Sequence, residues 1–246
     1  MYNTFIFQPL YNGLVGIMDI LPWADLGVAV IIFTFLVKVI LFPLSKSALL
    51  TQVRMKEIEP EANKIRVQYA GDKQAQAMKT MELYKEKKIH PFSGVLLLII
   101  QLPVLLALIS VFYQIIPAVK ADLLYSFVAV PALKTSFLGL IDLTKPSLVL
   151  SLATAVIQFL QLQFSVASRQ AAKAPKATGP GASASNMANS MNSQMKYLVP
   201  ILAFASTYWI IPARFPEAAS IIAIYWMTSS AATFLQELYI RKKHLK

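Results

Sequence analysis

The chain contains no cysteine. Disulfides, thiol nucleophiles, cysteine-ligated zinc and iron–sulfur clusters are therefore excluded. Histidine is almost as scarce: His90 and His244 stand alone, both beside basic segments, so neither a metal site nor a cofactor is expected. Charge is thin as well, at 14% of residues against about 25% in soluble domains. No phosphate-binding glycine loop occurs, so nothing in the sequence calls for ATP. Within the apolar stretches there is no nucleophile–base pair and no pair of carboxylates. No catalytic residue is assigned, and the expectation is a protein that performs no covalent chemistry. Lys and Arg are missing from Met1 to Trp23, so this segment lacks the basic start of a secretory signal and reads as retained.

What is abundant is apolar. Hydrophobic residues make up 57% of 246, and mean hydropathy is +0.57. Such excess points to a bilayer as solvent. About 20 apolar residues at 1.5 Å each span roughly 30 Å of hydrocarbon. Five stretches approach that length: 26–44, 92–116, 148–168, 197–213 and 216–238. The fourth is short, and Tyr197, Tyr208 and Trp209 suit an interface belt around it. Segment 117–147 is interrupted by Lys120, Asp122, Lys134 and Asp142. Only Leu123–Leu133 is uncharged, too little to span, so the segment is expected to lie on the outer surface as short interfacial helices. Residues 1–25 read likewise as an interfacial helix, over Phe5–Ile20.

Positive charge sets the orientation. Ten Lys and Arg fall between the first two spans, four more lie in the loop after the third, and four in the tail 239–246. The opposite side carries only Lys120, Lys134, Lys145 and Arg214. The positive-inside rule places the N-terminus outside and the C-terminus in the cytoplasm. The net charge of +11 is thus topological, and no specific nucleic acid is expected. In segment 45–91, Met55, Ile58, Ala62, Ile65 and Tyr69 recur at helical spacing. Gly71-Asp72 breaks the run, and Ala77, Met81 and Tyr84 continue it. This predicts a cytoplasmic αα-hairpin whose first arm kinks or restarts at Pro60. Segment 169–196 is Ala-, Ser-, Gly-, Pro- and Asn-rich without period, and is expected to be a flexible cytoplasmic loop.

Lys38 is the charge out of place. It interrupts an otherwise uncharged run with Thr34 one turn earlier, where a cation costs about 2.5–3.5 kcal/mol on insertion scales. Snorkelling to the cytoplasmic edge would relieve it; so would a wet cavity inside the bundle, where the ammonium could attract anionic groups. Gln101, followed by Pro103, in the second span, Gln158, Gln161 and Gln163 in the third, and Thr228, Ser229, Ser230 and Gln236 in the fifth are candidates to line such a cavity. Glu237 is the candidate carboxylate partner. Any one of these polar groups is more often glue between helices, but their number across separate spans favours a hydrophilic interior.

A longer set of motifs carries a resemblance. It comprises Phe7-Gln8-Pro9-Leu10, then Ile31-Ile32-Phe33-Thr34-Phe35-Leu36-Val37-Lys38 with Phe42-Pro43-Leu44. It continues with Leu83-Tyr84-Lys85 to His90-Pro91, Ile99-Ile100-Gln101-Leu102-Pro103-Val104, Met195, Tyr197, Pro200, Ile201, Phe215-Pro216 and Tyr225-Trp226. In this order the chain resembles the YidC/Oxa/Alb family of membrane protein insertases. The resemblance implies an all-α polytopic fold of five transmembrane helices with a cytoplasmic αα-hairpin and a hydrophilic groove open to cytoplasm and lipid. It carries the groove cation to Lys38, the adjacent hydroxyl to Thr34, and substrate contacts to Gln101, Leu102, Pro103 and Trp226. The family usually has Arg where Lys38 stands, so a point charge replaces a bidentate fork. The stretch after Phe215-Pro216 also departs from the family pattern.

The expected function is insertion and folding of integral membrane proteins in a bacterial inner (cytoplasmic) membrane. The expected partners are nascent membrane proteins and the lipid bilayer, and the resemblance admits the ribosome and the Sec translocon. The alternatives are a small-molecule or ion transporter and a non-catalytic assembly subunit. A transporter would be favoured by an intramembrane carboxylate pair or repeated broken helices, and the sequence has neither.

Overall fold

A chain rich in Leu, Ile and Val satisfies its backbone most readily by closing hydrogen bonds within each segment, and this one is mostly helical. The computed structural model describes residues 2–89, 93–165 and 182–244, with side chains there except at 56, 93–98, 100–101, 182–193, 241 and 244. A π-turn at Asn3–Phe7 leads into α1 (Gln8–Ile20). Then follow α2 (Leu26–Ile40), α3 (Phe42–Glu57), α4 (Glu59–Gln68), α5 (Lys73–Glu86) and α6 (Ser93–Ile115). A two-residue hairpin, β1 (Ser136–Phe137) and β2 (Ile141–Asp142), pairs Ser136 with Asp142 and Phe137 with Ile141. Last come α7 (Leu148–Phe164), α8 (Ala182–Ala205), a π-turn at Ser206–Ile210, α9 (Ile211–Arg214) and α10 (Ala219–His244).

By length and composition, Pro216–Ile240 is the one helix among the described residues able to cross a membrane alone. Leu26–Ile40 with Phe42–Met55 passes as a pair bent by 63°, while Leu102–Ile115 and Leu148–Phe164 are shorter apolar helices. The bend has a local cause. Pro43 has no N–H to carry the α2 ladder forward, and Leu41 ends the helix with its N–H on the Val37 carbonyl.

Burial is lopsided. α1 buries Tyr11, Leu14, Val15 and Met18, and α2 buries Leu26, Ala29, Val30 and Phe33. The C-terminal half of α6 adds Leu108, Val111, Phe112 and Ile115, and the start of α10 adds Ile221, Ile222, Ile224 and Tyr225. These side chains form one core cluster at the end of the bundle that carries α1 and segment 117–147. Toward the other end the packing opens. Val39 is 66% and Ile40 75% exposed on α2. The N-terminal helix expected on the surface thus has one face in the main core.

Segment 117–147 differs from the expected interfacial helices. It holds one 3-10 turn, Ala121–Leu123, and the small hairpin, and is otherwise irregular. Side chains from distant helices satisfy its backbone, which removes the need for helix. Asn12 Oδ1 accepts from the Tyr125 amide at 2.6 Å, and its amide donates to the Leu123 carbonyl at 2.9 Å. The Lys120 amide donates to the Tyr11 hydroxyl at 2.7 Å, and burial raises the Tyr11 phenol pKa above its ordinary value. Asp25 Oδ1 caps α2 by accepting from Val28 N at 2.9 Å, while Oδ2 accepts from Leu138 N at 2.8 Å. Gly27 gives Phe137 its seat: a Cβ there would run into the Phe137 ring, Cγ lying 3.0 Å away.

The αα-hairpin forms at α4 and α5. Pro60 sits in the first turn of α4 and restarts the helix, and Asp72 caps α5 by accepting from Gln74 N and Ala75 N. The arms meet through Ile58 and Ala62 against Leu83 and Ile89, with Met55, Ile65 and Tyr84 packed alongside. The second-arm stripe therefore runs through Leu83 rather than Ala77 and Met81, which are exposed; near the turn the arms are joined by Gln76 Nε2, which donates to the Arg66 carbonyl at 3.3 Å. A Lys87–Glu61 ion pair of 3.1 Å adds an exposed tie.

The expected loop 169–196 needs correction in its second part. Residues 169–181 lie outside the described residues, as does His90, but from Ala182 the backbone is helical and continuous with α8. After Pro180-Gly181 there is no helix breaker until Pro200, so Ala, Met and Gln can propagate the helix.

Candidate functional site

Where the core ends, a cavity of about 600 Å³ begins. Helix α10 supplies one wall through residues that recur at three- and four-residue steps: Ile222, Trp226, Ser229, Thr233, Gln236, Glu237 and Ile240. That spacing puts them on one face. α3 contributes Ser45, Ala48, Leu49 and Gln52 at the same period, α6 adds Leu105 and Ile109, and Ser206, Ile210 and Ile211 close the side near α9. The floor is Ile222 and Tyr225, which belong to the core cluster. The walls are thus mostly apolar, with polar groups on α2, α3 and α10.

Lys38 projects from α2 into this space. Its Nζ donates to Thr233 Oγ1 at 3.1 Å, and the Thr233 hydroxyl donates to the Ser229 carbonyl at 2.8 Å. The backbone is clasped too: Gln236 Nε2 donates to the Lys38 carbonyl at 2.9 Å. That carbonyl falls in the last turn of α2, where helical acceptors lack partners of their own. Gln236 therefore acts as a cap supplied by another helix. Lys38 and Glu237 line the same cavity, placing both charge signs at one site.

Of the residues singled out in the sequence, Lys38, Trp226, Ser229, Gln236 and Glu237 line the cavity. Thr34 does not. It is 2% exposed and its hydroxyl donates to the Val30 carbonyl at 2.6 Å, a local bond that explains how it sits buried. Gln158 is also buried, accepting from Ser230 Oγ at 3.2 Å across the α7–α10 contact, which makes it interhelical glue. Leu102 is 53% exposed and Pro103 partly buried, and neither is among the lining residues; the Gln101 side chain lies outside the described ones.

Ser45, Gln52, Ser206 and Thr233 are lining residues that were not anticipated. The signal for Thr233 was present, since it continues the 226–229 face by one turn. Ser45 and Gln52 stand in a stretch read as the start of a solvated hairpin, which hid their place against the bundle. Among the described residues no group of His, Asp and Glu is arranged to hold a metal ion.

A second hollow, of about 310 Å³, lies on the other side of Lys38 and Gln236. It opens between α2 and α10, and Phe35, Val39, Phe42, Leu235 and Tyr239 line it.

Comparison with known proteins places this architecture. The sequence pattern of the 60Kd inner membrane protein family matches residues 18–246. The membrane protein insertase YidC of Fusobacterium nucleatum is 33% identical over 223 residues, covering 89% of this chain and 87% of that protein. The same-named protein of Ruegeria sp. is 28% identical over 93% of this chain and 36% of its own length. That of Hahella chejuensis is 26% identical over 97% of this chain and 35% of its own. The chain spans most of the first relative but only about a third of the other two. A match along nearly the whole chain, with a relative of similar length at one-third identity, shows that the chain belongs to the 60Kd inner membrane protein family and is a YidC-like protein.

Proposed function

We propose that this chain is a membrane protein insertase that admits short polar segments of incoming membrane proteins partway into the bilayer, at the cavity beside Lys38. One observation carries the reading: an ammonium group projects into a hollow of about 600 Å³ directly beyond a packed core. The names of the relatives support the same activity.

In this reading the apolar segments 26–44, 92–116, 148–168, 197–213 and 216–238 cross a bacterial inner membrane, with the N-terminus outside. The packed end faces outward under segment 117–147, and the Lys38 cavity opens to the cytoplasm. The hairpin of α4 and α5 projects from that side and receives nascent membrane proteins; the ribosome and the Sec translocon are further partners proposed for the chain as a whole.

The physical task is to lower the cost of moving polar groups across hydrocarbon. Water and side chains in the cavity replace part of the hydration that a substrate segment loses. A cavity of 600 Å³ has a diameter of roughly 10 Å if taken as a sphere, so any acidic group inside it is within that distance of Lys38. The attraction is about 0.4 kcal/mol at a dielectric of 80 and about 1.7 kcal/mol at 20. Even at this largest separation that is enough to bias which segments enter. The substrate's apolar helix then moves sideways into lipid, and removal of its surface from water drives the step.

The test is insertion into vesicles reconstituted with the purified chain, using single-span substrates with acidic or neutral tails. Charge reversal doubles the electrostatic difference to about 1–3 kcal/mol, or roughly 5- to 150-fold in rate. Lys38→Glu should slow the acidic-tailed substrate by that factor and the neutral one much less, with Lys38→Arg near the parent. Equal rates for both variants on both substrates would remove the charge from the mechanism.

A further inference from the structure

The smaller hollow has a chemistry unlike that of the larger one. Phe35, Val39 and Phe42 form one side, and Ala232, Leu235 and Tyr239 the other, with Lys38 and Gln236 at its back. Val39 is 66% exposed, and Leu235 and Tyr239 are each 53% exposed, so the slot faces outward from the bundle. No carboxylate is among its described lining residues.

Its size discriminates between occupants. One turn of a helix about 10 Å across and 5.4 Å long fills roughly 420 Å³, more than the 310 Å³ available. A substrate helix would lie only partly within it, whereas a flexible chain one methylene wide enters it fully. The slot runs along α10 from Ala232 to Tyr239, about 10 Å at 1.5 Å per residue.

Beyond its upper end the sign of charge is fixed. Lys243 Nζ lies 5.7 Å from the Tyr239 ring centroid and 3.4 Å from the Tyr239 hydroxyl. Lys242 beside it is exposed. Ammonium groups one turn past an outward-facing apolar slot complement a phosphate attached to a hydrocarbon tail. We propose that the slot binds one acyl chain of an anionic phospholipid, whose phosphate is held by Lys243 and Lys242. This binding shares with the insertase reading its topology and the wall of Lys38 and Gln236. It is tested without any insertion assay, so either can fail alone.

The experiment is native mass spectrometry of the full chain released from micelles containing phosphatidylglycerol or phosphatidylcholine with identical acyl chains. The parent chain should retain the anionic lipid preferentially. Each basic side chain near an anionic headgroup is worth about fivefold in affinity. Lys243→Ala should therefore cut the preference about fivefold, and Lys242→Ala should cut it again. Val39→Trp, at an exposed position, fills the slot and should reduce retention of both lipids; Leu235→Trp gives the same reading if the first variant melts early. An unchanged lipid preference in Lys243→Ala, or full retention in a well-folded slot-filled variant, would overturn the proposal. A photo-crosslinker at Leu235 that captures nascent chains in place of lipid would do so as well.

Discussion

The absence of cysteine turns the wetness of the Lys38 cavity into a measurable profile. Single cysteines at 34, 38, 158, 229 and 233 should fall into two classes when a membrane-impermeant maleimide is applied to inside-out vesicles. At about 30 Å³ per molecule, a volume of 600 Å³ holds roughly 20 waters, so thiols at 38, 229 and 233 face solvent. With a thiol pKa near 8.5, about 3% is reactive thiolate at pH 7. Thr34 and Gln158 are 2% and 9% exposed, and thiols there must await local opening. An opening free energy of about 3 kcal/mol slows labelling by roughly 100-fold. Depth in the bilayer cannot produce that contrast, because residues 34 and 38 are one turn apart, about 6 Å along the axis. Reaction at 38 as slow as at 34 would mean that Lys38 lies against acyl chains or sealed protein, and the cavity mechanism would fail.

Other consequences concern the packed end. Gly27→Ala drives a methyl into the Phe137 ring and should cost about 1–3 kcal/mol; melting in micelles should fall, and Phe137→Ala should restore part of it. Asp25→Ala removes the α2 cap and the acceptor for Leu138 N. A loss of about 1–2 kcal/mol is expected, against little change for Asp19→Ala, whose single bond to Ala129 N is longer at 3.2 Å. Thr144 donors and the Lys145 ammonium hold the Asp142 carboxyl at about 2. A folded-state pKa below the unfolded value near 3.9 means that this turn is stabilised above pH ~4 and loses that support as pH falls toward ~2. Carboxyl NMR of selectively labelled Asp should find Asp142 still ionised at pH 3.5, and titration at an ordinary value would contradict the turn geometry.

How much of this was legible in the sequence depended on whether a side chain answers to its own helix or to a distant one. Ser229 stood out as a polar residue in an apolar span, whereas Trp226 entered only through the family resemblance; their common face on α10 is a finding of the structure. Lys38 was conspicuous because an uncharged run surrounded it. Thr34 shares its neighbourhood and was expected at the same site, but a hydroxyl can satisfy itself on the carbonyl four residues back, and this one does. Gln158 illustrates a different limit: composition cannot separate a lining glutamine from one bonded across a helix contact. Segment 117–147 was the least legible. Its conformation is set by Asn12, Asp25 and Tyr11, more than 100 residues away in sequence, and no local pattern records such partners.

The contrast between the two ends of the bundle also bears on what fills the cavity. Interior voids destabilise proteins by about 24 cal/mol per Å³. Left empty, 600 Å³ would cost roughly 14 kcal/mol, comparable to the whole stability of an ordinary domain at about 5–15 kcal/mol. Beyond the main cluster only the small group of Leu49, Val53 and Ile240 is packed on the cavity side, which leaves little to offset such a void, so an occupied space is favoured. The polar face of α10 favours water as the resting occupant of this cavity over lipid, because hydrocarbon would leave Ser229 and the Lys38 ammonium, which is turned to Thr233 on this side, without solvent. On the proposed reading, water entering from one side as far as Ile222 and Tyr225 would bring the aqueous phase partway through the bundle. On the proposed insertase reading the remaining barrier is the packed end alone, and the other end exchanges water for a polar segment of an incoming chain.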